Sequence, residues 1–186
     1  MFVNCGAPIT ICVIGAQGSG KTCLCERYTN DQFVQEYTPS FNPATYSKRT
    51  TLTISGNKVS LDIIIKDVVG NLAYGRLLAA VFQGCQGALV VHDPTMARGH
   101  DETLFWINAL FNAAGDMPLI FAVNKADIAR TGPLADREFE VTVRSFRSAQ
   151  YSTSARTGEN VAEAIRHLVT DIVVKRELER FKGAVL

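Results

Sequence analysis

Short apolar, β-branched runs alternate along the chain with longer stretches of helix-like periodicity. The runs at residues 9–14, 50–55, 59–65, 87–92, 118–123 and 149–153 predict strands, and the stretches at 21–30, 72–82, 100–114, 134–147 and 159–180 predict helices. Ser55-Gly56-Asn57-Lys58 has the composition of a hairpin turn, so the second and third strands are expected to be antiparallel neighbours. The other strands are separated by helices, which implies right-handed crossovers and a mostly parallel sheet covered on both faces. The expectation is therefore an α/β fold: a six-stranded sheet with one antiparallel edge strand and about five helices. No internal repeat, low-complexity tract or linker divides the chain, so residues 1–186 are expected to form a single domain. Ligands of such sheets sit at the carboxyl ends of the strands.

The loops at those ends carry the chemistry. After the first predicted strand comes Gly15-Ala16-Gln17-Gly18-Ser19-Gly20-Lys21-Thr22, which fits the phosphate-binding pattern G-x-x-x-x-G-K-[ST] at every fixed position. Its glycines let a curled backbone bring N–H groups against phosphate oxygens, where a Cβ would block the approach. Lys21 adds a point charge at the β/γ end, and the start of the next helix adds partial positive charge. After the third strand, Asp67-Val68-Val69-Gly70 places a carboxylate suited to holding magnesium through water beside a glycine whose N–H can approach the terminal phosphate. After the fifth strand comes Asn124-Lys125-Ala126-Asp127, an N-K-x-D motif. The Asp127 carboxylate can accept hydrogen bonds from N1–H and the 2-amino group of guanine, a donor pair that adenine lacks. After the sixth strand, Ser152-Thr153-Ser154-Ala155 offers a backbone N–H for the guanine O6. Together these loops specify a guanine nucleotide.

Composition narrows the setting. At 186 residues and 20.3 kDa the chain can bury roughly 70% of its unfolded surface without disulfide or metal support. A net charge of +1 and a pI near 7.6 argue against a protein that coats nucleic acid or an anionic membrane. Cys5, Cys12, Cys23, Cys25 and Cys85 form no C-x-x-C pair and no zinc spacing, which suits reduced thiols in a cytosolic protein. There is no secretory leader pattern, and no apolar run approaches the ~20 residues of a membrane span. The expected location is cytoplasmic, at most peripheral on the cytosolic face of membranes.

With these motifs in place, the chain resembles the small GTPases of the Ras superfamily, and the Rab branch most, over about residues 8–175. The stretch Phe82-Gln83-Gly84-Cys85-Gln86-Gly87-Ala88-Leu89-Val90-Val91-His92-Asp93-Pro94-Thr95 is similar to the Rab sequence around the fourth strand of that fold. The resemblance implies the P-loop NTPase fold of small G proteins, binding of GTP and GDP with Mg2+, GTP hydrolysis and a role in membrane traffic. It also implies an exchange factor, a GTPase-activating protein and effectors as partners. Phe33-Val34-Gln35-Glu36-Tyr37-Thr38-Pro39-Ser40 matches the first switch, and Asp67 to about Leu78 the second. By the same resemblance Phe33 packs against guanine, Tyr37 covers the phosphates, and Ser40 joins Thr22 and Asp67 at the magnesium. The implied nucleotide-contacting set is completed by Gly15, Gln17, Gly18, Ser19, Gly20, Lys21, Cys23, Gly70, Asn124, Lys125, Asp127, Ser154 and Ala155.

Four departures from the family pattern bear on activity. Where the second switch usually begins D-T-A-G-Q, this chain has Asp67-Val68-Val69-Gly70-Asn71. The Asn71 amide is one methylene shorter than the glutamine that orients water, about 1.5 Å too short for a position tuned to hydrogen-bond distance. Gln17 stands beside the γ-phosphate where glycine or another small residue is common, and Ser40 stands where threonine is usual. The positions of the aromatic triad that many Rab proteins offer to effectors are occupied by Thr45, Lys66 and Val81. Gly70, Asn71 and Gln17 are thus the candidate catalytic residues, and slow hydrolysis is the expectation.

Other features take plainer explanations. His92 lies in an apolar strand and Trp106 in an apolar helix face, both as packing residues, while the mixed charges of Lys175 to Arg180 suit a solvated face. The chain ends Phe181-Lys182-Gly183-Ala184-Val185-Leu186 without a prenylation cysteine, which leaves two alternatives: a removed tail, or a protein that works without a lipid. A binding module with little hydrolysis is the alternative to a switching GTPase. A small-molecule kinase sharing the phosphate loop fits poorly beside N-K-x-D.

Overall fold

The computed structural model describes residues 2–4, 7–33, 43–54, 56–69, 78–96, 99–129 and 137–183. Seven strands, β1 (Phe2–Asn4), β2 (Ile9–Gly15), β3 (Ala44–Ile54), β4 (Asn57–Asp67), β5 (Gly87–His92), β6 (Leu119–Val123) and β7 (Gln150–Ser152), form one sheet. The helices are α1 (Lys21–Asn30), α2 (Leu78–Phe82), α3 (Gly99–Ala114), α4 (Ala126–Ala129), α5 (Arg137–Ser145) and α6 (Val161–Gly183).

All six predicted strands are present, and β1 is the addition. β3 covers one flank of β4 along its whole length, so β1 and β2 must share the other flank. The register shows how: Asn4 faces Ser60 and Ile9 faces Ile63, so the chain inserts extra residues between β1 and β2 and then resumes the same parallel pairing. β1 therefore lengthens the position held by β2, and the sheet keeps six positions, with β3 as the antiparallel edge. The hairpin is where the sequence puts it, with Ile54 facing Asn57 and Gly56 at φ 79°, a left-handed conformation that glycine adopts without strain.

Two apolar layers cover the sheet. On one face Leu24, Cys25 and Tyr28 of α1 and Ile165, Leu168 and Ile172 of α6 pack on Ile11, Val13 and Leu89. On the other, Phe82, Trp106, Leu110 and Phe139 pack on Cys12, Ile14 and Val90. Burying each such large side chain contributes roughly 1.5–3 kcal/mol. β5 is buried along its entire length, as expected of a central parallel strand. The carboxyl ends of β2, β4, β5, β6 and β7 lie side by side, and the motif-bearing loops leave the sheet there.

The elements depart from expectation chiefly at β3 and after β6. β3 begins six residues earlier than the predicted residue 50, at Ala44, and α4 is an extra single turn after β6. Of the predicted helix at 72–82, α2 is the part within the described residues.

Candidate functional site

β2 hands directly into the phosphate-type loop. Gly15, at φ 143°, pairs with Val91 of β5 so closely that a Cβ would stand 2.2 Å from the Val91 carbonyl oxygen. Gly18 and Gly20 also have positive φ, 81° and 96°. α1 then starts at Lys21 with Gly20 as its N-cap, and no side chain caps it, so the first-turn N–H groups are left for another acceptor. The Lys21 ammonium folds back over the loop, donating to Gly15 O at 3.0 Å and Ala16 O at 2.7 Å. Burial pushes it down to about 8, opposed chiefly by the Asp67 carboxylate. Ser19 Oγ is buried without a hydrogen-bond partner. A buried cation, an orphaned hydroxyl and an uncapped helix start form a cradle suited to an anion, and a polyphosphate fits it.

The next pair suits a divalent cation. Thr22, in the first turn of α1, donates its hydroxyl to Asp67 Oδ2 at the end of β4 at 2.6 Å. Burial raises the Asp67 carboxyl, while the Thr22 hydrogen bond and the Lys21 charge pull it down. One carboxylate and one hydroxyl are hard oxygen donors of the kind that hold magnesium together with phosphate oxygens and water. Among the described residues no group of three or more His, Cys, Asp or Glu could hold a metal ion on its own.

Asn124 ties this end of the site to the base-reading end. It is almost fully buried; its Nδ2 donates to Ser19 O at 2.9 Å and its Oδ1 accepts from Ala155 N at 3.2 Å. A Cβ on Gly20 would stand 2.2 Å from that Nδ2, so the loop needs glycine there for its contact with Asn124 as well as for its φ. Lys125 has left-handed backbone, φ 63°, and its ammonium lies 2.6 Å from Asp93 Oδ2. Asp127 Oδ1 accepts the Ser154 hydroxyl at 2.7 Å, and the Arg156 guanidinium stands 3.9 Å from Oδ2. A carboxylate held in one orientation with free lone pairs can accept a paired donor edge such as that of guanine.

Gly15, Gly18, Ser19, Gly20, Lys21, Thr22, Asp67, Asn124, Lys125, Asp127, Ser154 and Ala155 thus converge at one end of the sheet. Gln17 is exposed at the mouth of the loop, Cys23 is half-buried in α1, and Phe33 packs against the α1 and α6 layer. The Ala155 N–H, suited to guanine O6, is directed at Asn124 instead. Tyr37, Ser40, Gly70 and Asn71 lie outside the described residues. Thr45 and Lys66 face each other across β3 and β4, and Lys66 Nζ donates to Val81 O, so these three residues form one patch.

Two participants were not singled out in the sequence. Asp93 receives the Thr95 N–H and hydroxyl as well as Lys125; the Asp-Pro-Thr turn was the available signal. Arg27, at the far end of α1, donates from Nε to Ala155 O and from Nη2 to Arg156 O, at 2.9 and 2.7 Å. Nothing local marks it out, because its partners are more than 100 residues away.

Fold and site together define an α/β nucleotide-binding protein built around a phosphate loop. Residues 10–174 match the model of the Ras family, and the chain belongs to that family. It is 32% identical to the Ras-related protein RABA3 of Arabidopsis thaliana over 95% of this chain and 76% of that protein. It is 27% identical to the Ras-related protein Rab-13 of Rattus norvegicus, over 88% of this chain and 79% of that protein. With the Ras-related protein Rab-8B of Pongo abelii the identity is 28%, over 88% and 77%. The chain is accordingly a Rab-like small GTPase. No helix among the described residues is long and apolar enough to cross a membrane.

Proposed function

We propose that the chain binds GTP and GDP with Mg2+ at the converging loops, hydrolyses GTP slowly, and acts as a nucleotide-dependent switch in membrane traffic. The observation that carries this reading is Asn124, whose one buried amide joins the carbonyl of Ser19 in the phosphate loop to the N–H of Ala155 in the base loop. Lys21 holds the β/γ end, Ser19 Oγ and the open start of α1 take phosphate oxygens, and Thr22 and Asp67 hold the cation, with Ser40 as the further ligand. Mg2+, when bound, neutralises charge on the β- and γ-phosphates. Asp127, steadied by Ser154, accepts the guanine donors, and the Ala155 N–H is shared between Asn124 and O6. GTP orders the two switch segments and hydrolysis releases them, so effectors and a GTPase-activating protein meet one state and an exchange factor acts on the other.

By the family resemblance, Gly70, Asn71 and Gln17 are the residues assigned to the attacking water. The short Asn71 amide and the exposed, long Gln17 side chain favour a low intrinsic rate, and they support a second reading: a guanine-nucleotide-dependent interaction module that barely hydrolyses. Identifying the nucleotide that co-purifies, then following GTP to GDP in a single turnover, tests both. ATP bound as tightly as GTP would overturn the assignment; guanine specificity with no turnover would select the module.

A further inference from the structure

Cys12 and Cys85 share one apolar layer, on the sheet face opposite α1 and α6. Cys12 lies in β2, fully buried, in the layer formed with Phe82, Trp106 and Phe139, and Cys85, half-buried in the turn after α2, packs against the same layer. Lys66 is the register partner of Cys12 on β4, so their side chains emerge from the same face. Its ammonium is fixed by the carbonyls of Val81 and Gln83 at 3.0 and 2.8 Å, and Cys85 Sγ lies 3.8 Å from that same Val81 oxygen. A fixed cation, a half-exposed thiol and a buried second thiol thus share one corner.

We propose that Cys85 and Cys12 form an oxidisable pair, in which Cys85 is the attacking thiolate, steadied by Lys66, and Cys12 is the resolving thiol. The charge distribution agrees with this division of roles. A hydrogen bond from Cys12, and then the Lys66 charge, hold the Cys85 thiol below the usual range against the opposing effect of its burial; the same hydrogen bond and burial push Cys12 up. Cys12 Sγ also donates to the Gly87 carbonyl at 3.8 Å. The oxidant is a peroxide. The Cys85 thiolate attacks one peroxide oxygen, the O–O bond breaks, and the departing hydroxide takes a proton to become water. The Cys12 sulfur then attacks the Cys85 sulfenic acid, losing its proton as the S–O bond breaks and a second water leaves. Two thiols have lost two electrons and a disulfide links the end of α2 to the strand that feeds the phosphate loop.

The first test uses the unmodified full chain: iodoacetamide labelling near neutral pH, quantified for each cysteine by peptide mass spectrometry. Cys85 is expected to react at least about tenfold faster than Cys23, whose thiol burial pushes up. The second test treats the chain with hydrogen peroxide and maps peptides without reduction. The expected product is a Cys12–Cys85 cross-link, reversed by dithiothreitol; Cys12→Ser is expected to accumulate a Cys85 sulfenic acid that dimedone traps, and Cys85→Ser to give neither product. Labelling of Cys85 no faster than Cys23, or oxidised protein without the Cys12–Cys85 link, would overturn the proposal.

Discussion

Ser154 gives its hydroxyl to Asp127 at 2.7 Å, which joins two loops 27 residues apart and fixes the carboxylate that the proposed function assigns to the base. The specificity of the site therefore has a primary and a supporting residue. Asp127→Asn replaces two acceptors by an acceptor and a donor, and should cost about 2–4 kcal/mol of guanine-nucleotide affinity. Ser154→Ala keeps the carboxylate but frees it, with a loss of about 1 kcal/mol. Competition titration of GTP, xanthosine triphosphate and ATP against each variant measures both. Undiminished GTP affinity in Asp127→Asn would remove Asp127 from base recognition.

Thr22 and Asp67 share a hydrogen bond at the place the proposed function gives to Mg2+. Thr22→Asn should leave the fold intact and weaken Mg2+-dependent GTP binding more than GDP binding, because the triphosphate relies more on the cation. Chelating Mg2+ from the wild type should speed nucleotide dissociation, and the variant should respond less. Stopped-flow release of a fluorescent nucleotide follows both. Identical magnesium dependence in variant and wild type would argue that Thr22 is no ligand.

Gly20→Ala tests the seam between the phosphate and base loops. The new methyl meets Asn124 Nδ2 and the backbone sits at φ 96°, so strain of about 1–3 kcal/mol is expected, with the Asn124 contacts disturbed. Urea unfolding reads the stability loss, and nucleotide off-rates should rise in parallel. Wild-type stability would mean that the loop relaxes without resistance.

Intrinsic hydrolysis should fall below the order of 10⁻⁴ s⁻¹ typical of an unaided small GTPase. A further tenfold loss needs only about 1.4 kcal/mol of missing transition-state stabilisation, which a misplaced amide readily produces. Asn71→Gln and Gln17→Gly should each accelerate single-turnover conversion of GTP to GDP. An ordinary wild-type rate, unchanged or slowed by both replacements, would assign water positioning to another group.

Periodicity revealed most of the architecture because the central strands are apolar throughout and each loop motif is contiguous. It underestimated β3, where Thr45, Ser47, Arg49, Thr51 and Thr53 are exposed and only every second residue turns inward. That edge forms because β4 offers a complete flank and because Arg49 faces and pairs with Asp62 at 2.8 Å, a cross-strand relation invisible in local composition. The phosphate and base motifs were legible for the opposite reason, since their functional atoms come from adjacent residues. The Lys125–Asp93 pair and the Arg27 contacts exist only once distant segments meet. Cys12 and Cys85, 73 positions apart, look like unrelated buried thiols until β2 and the turn after α2 are brought together.

Arg27 also carries the Asp31 carbonyl and carboxylate on Nη1, at 3.1 and 2.9 Å, so one planar cation braces both the end of α1 and the loop after β7. The ten-residue helix bears Lys21, folded over the phosphate-type loop, at its front and this brace at its rear. Arg27 thus ties the helix that follows the phosphate loop to the loop after β7 through protein atoms alone.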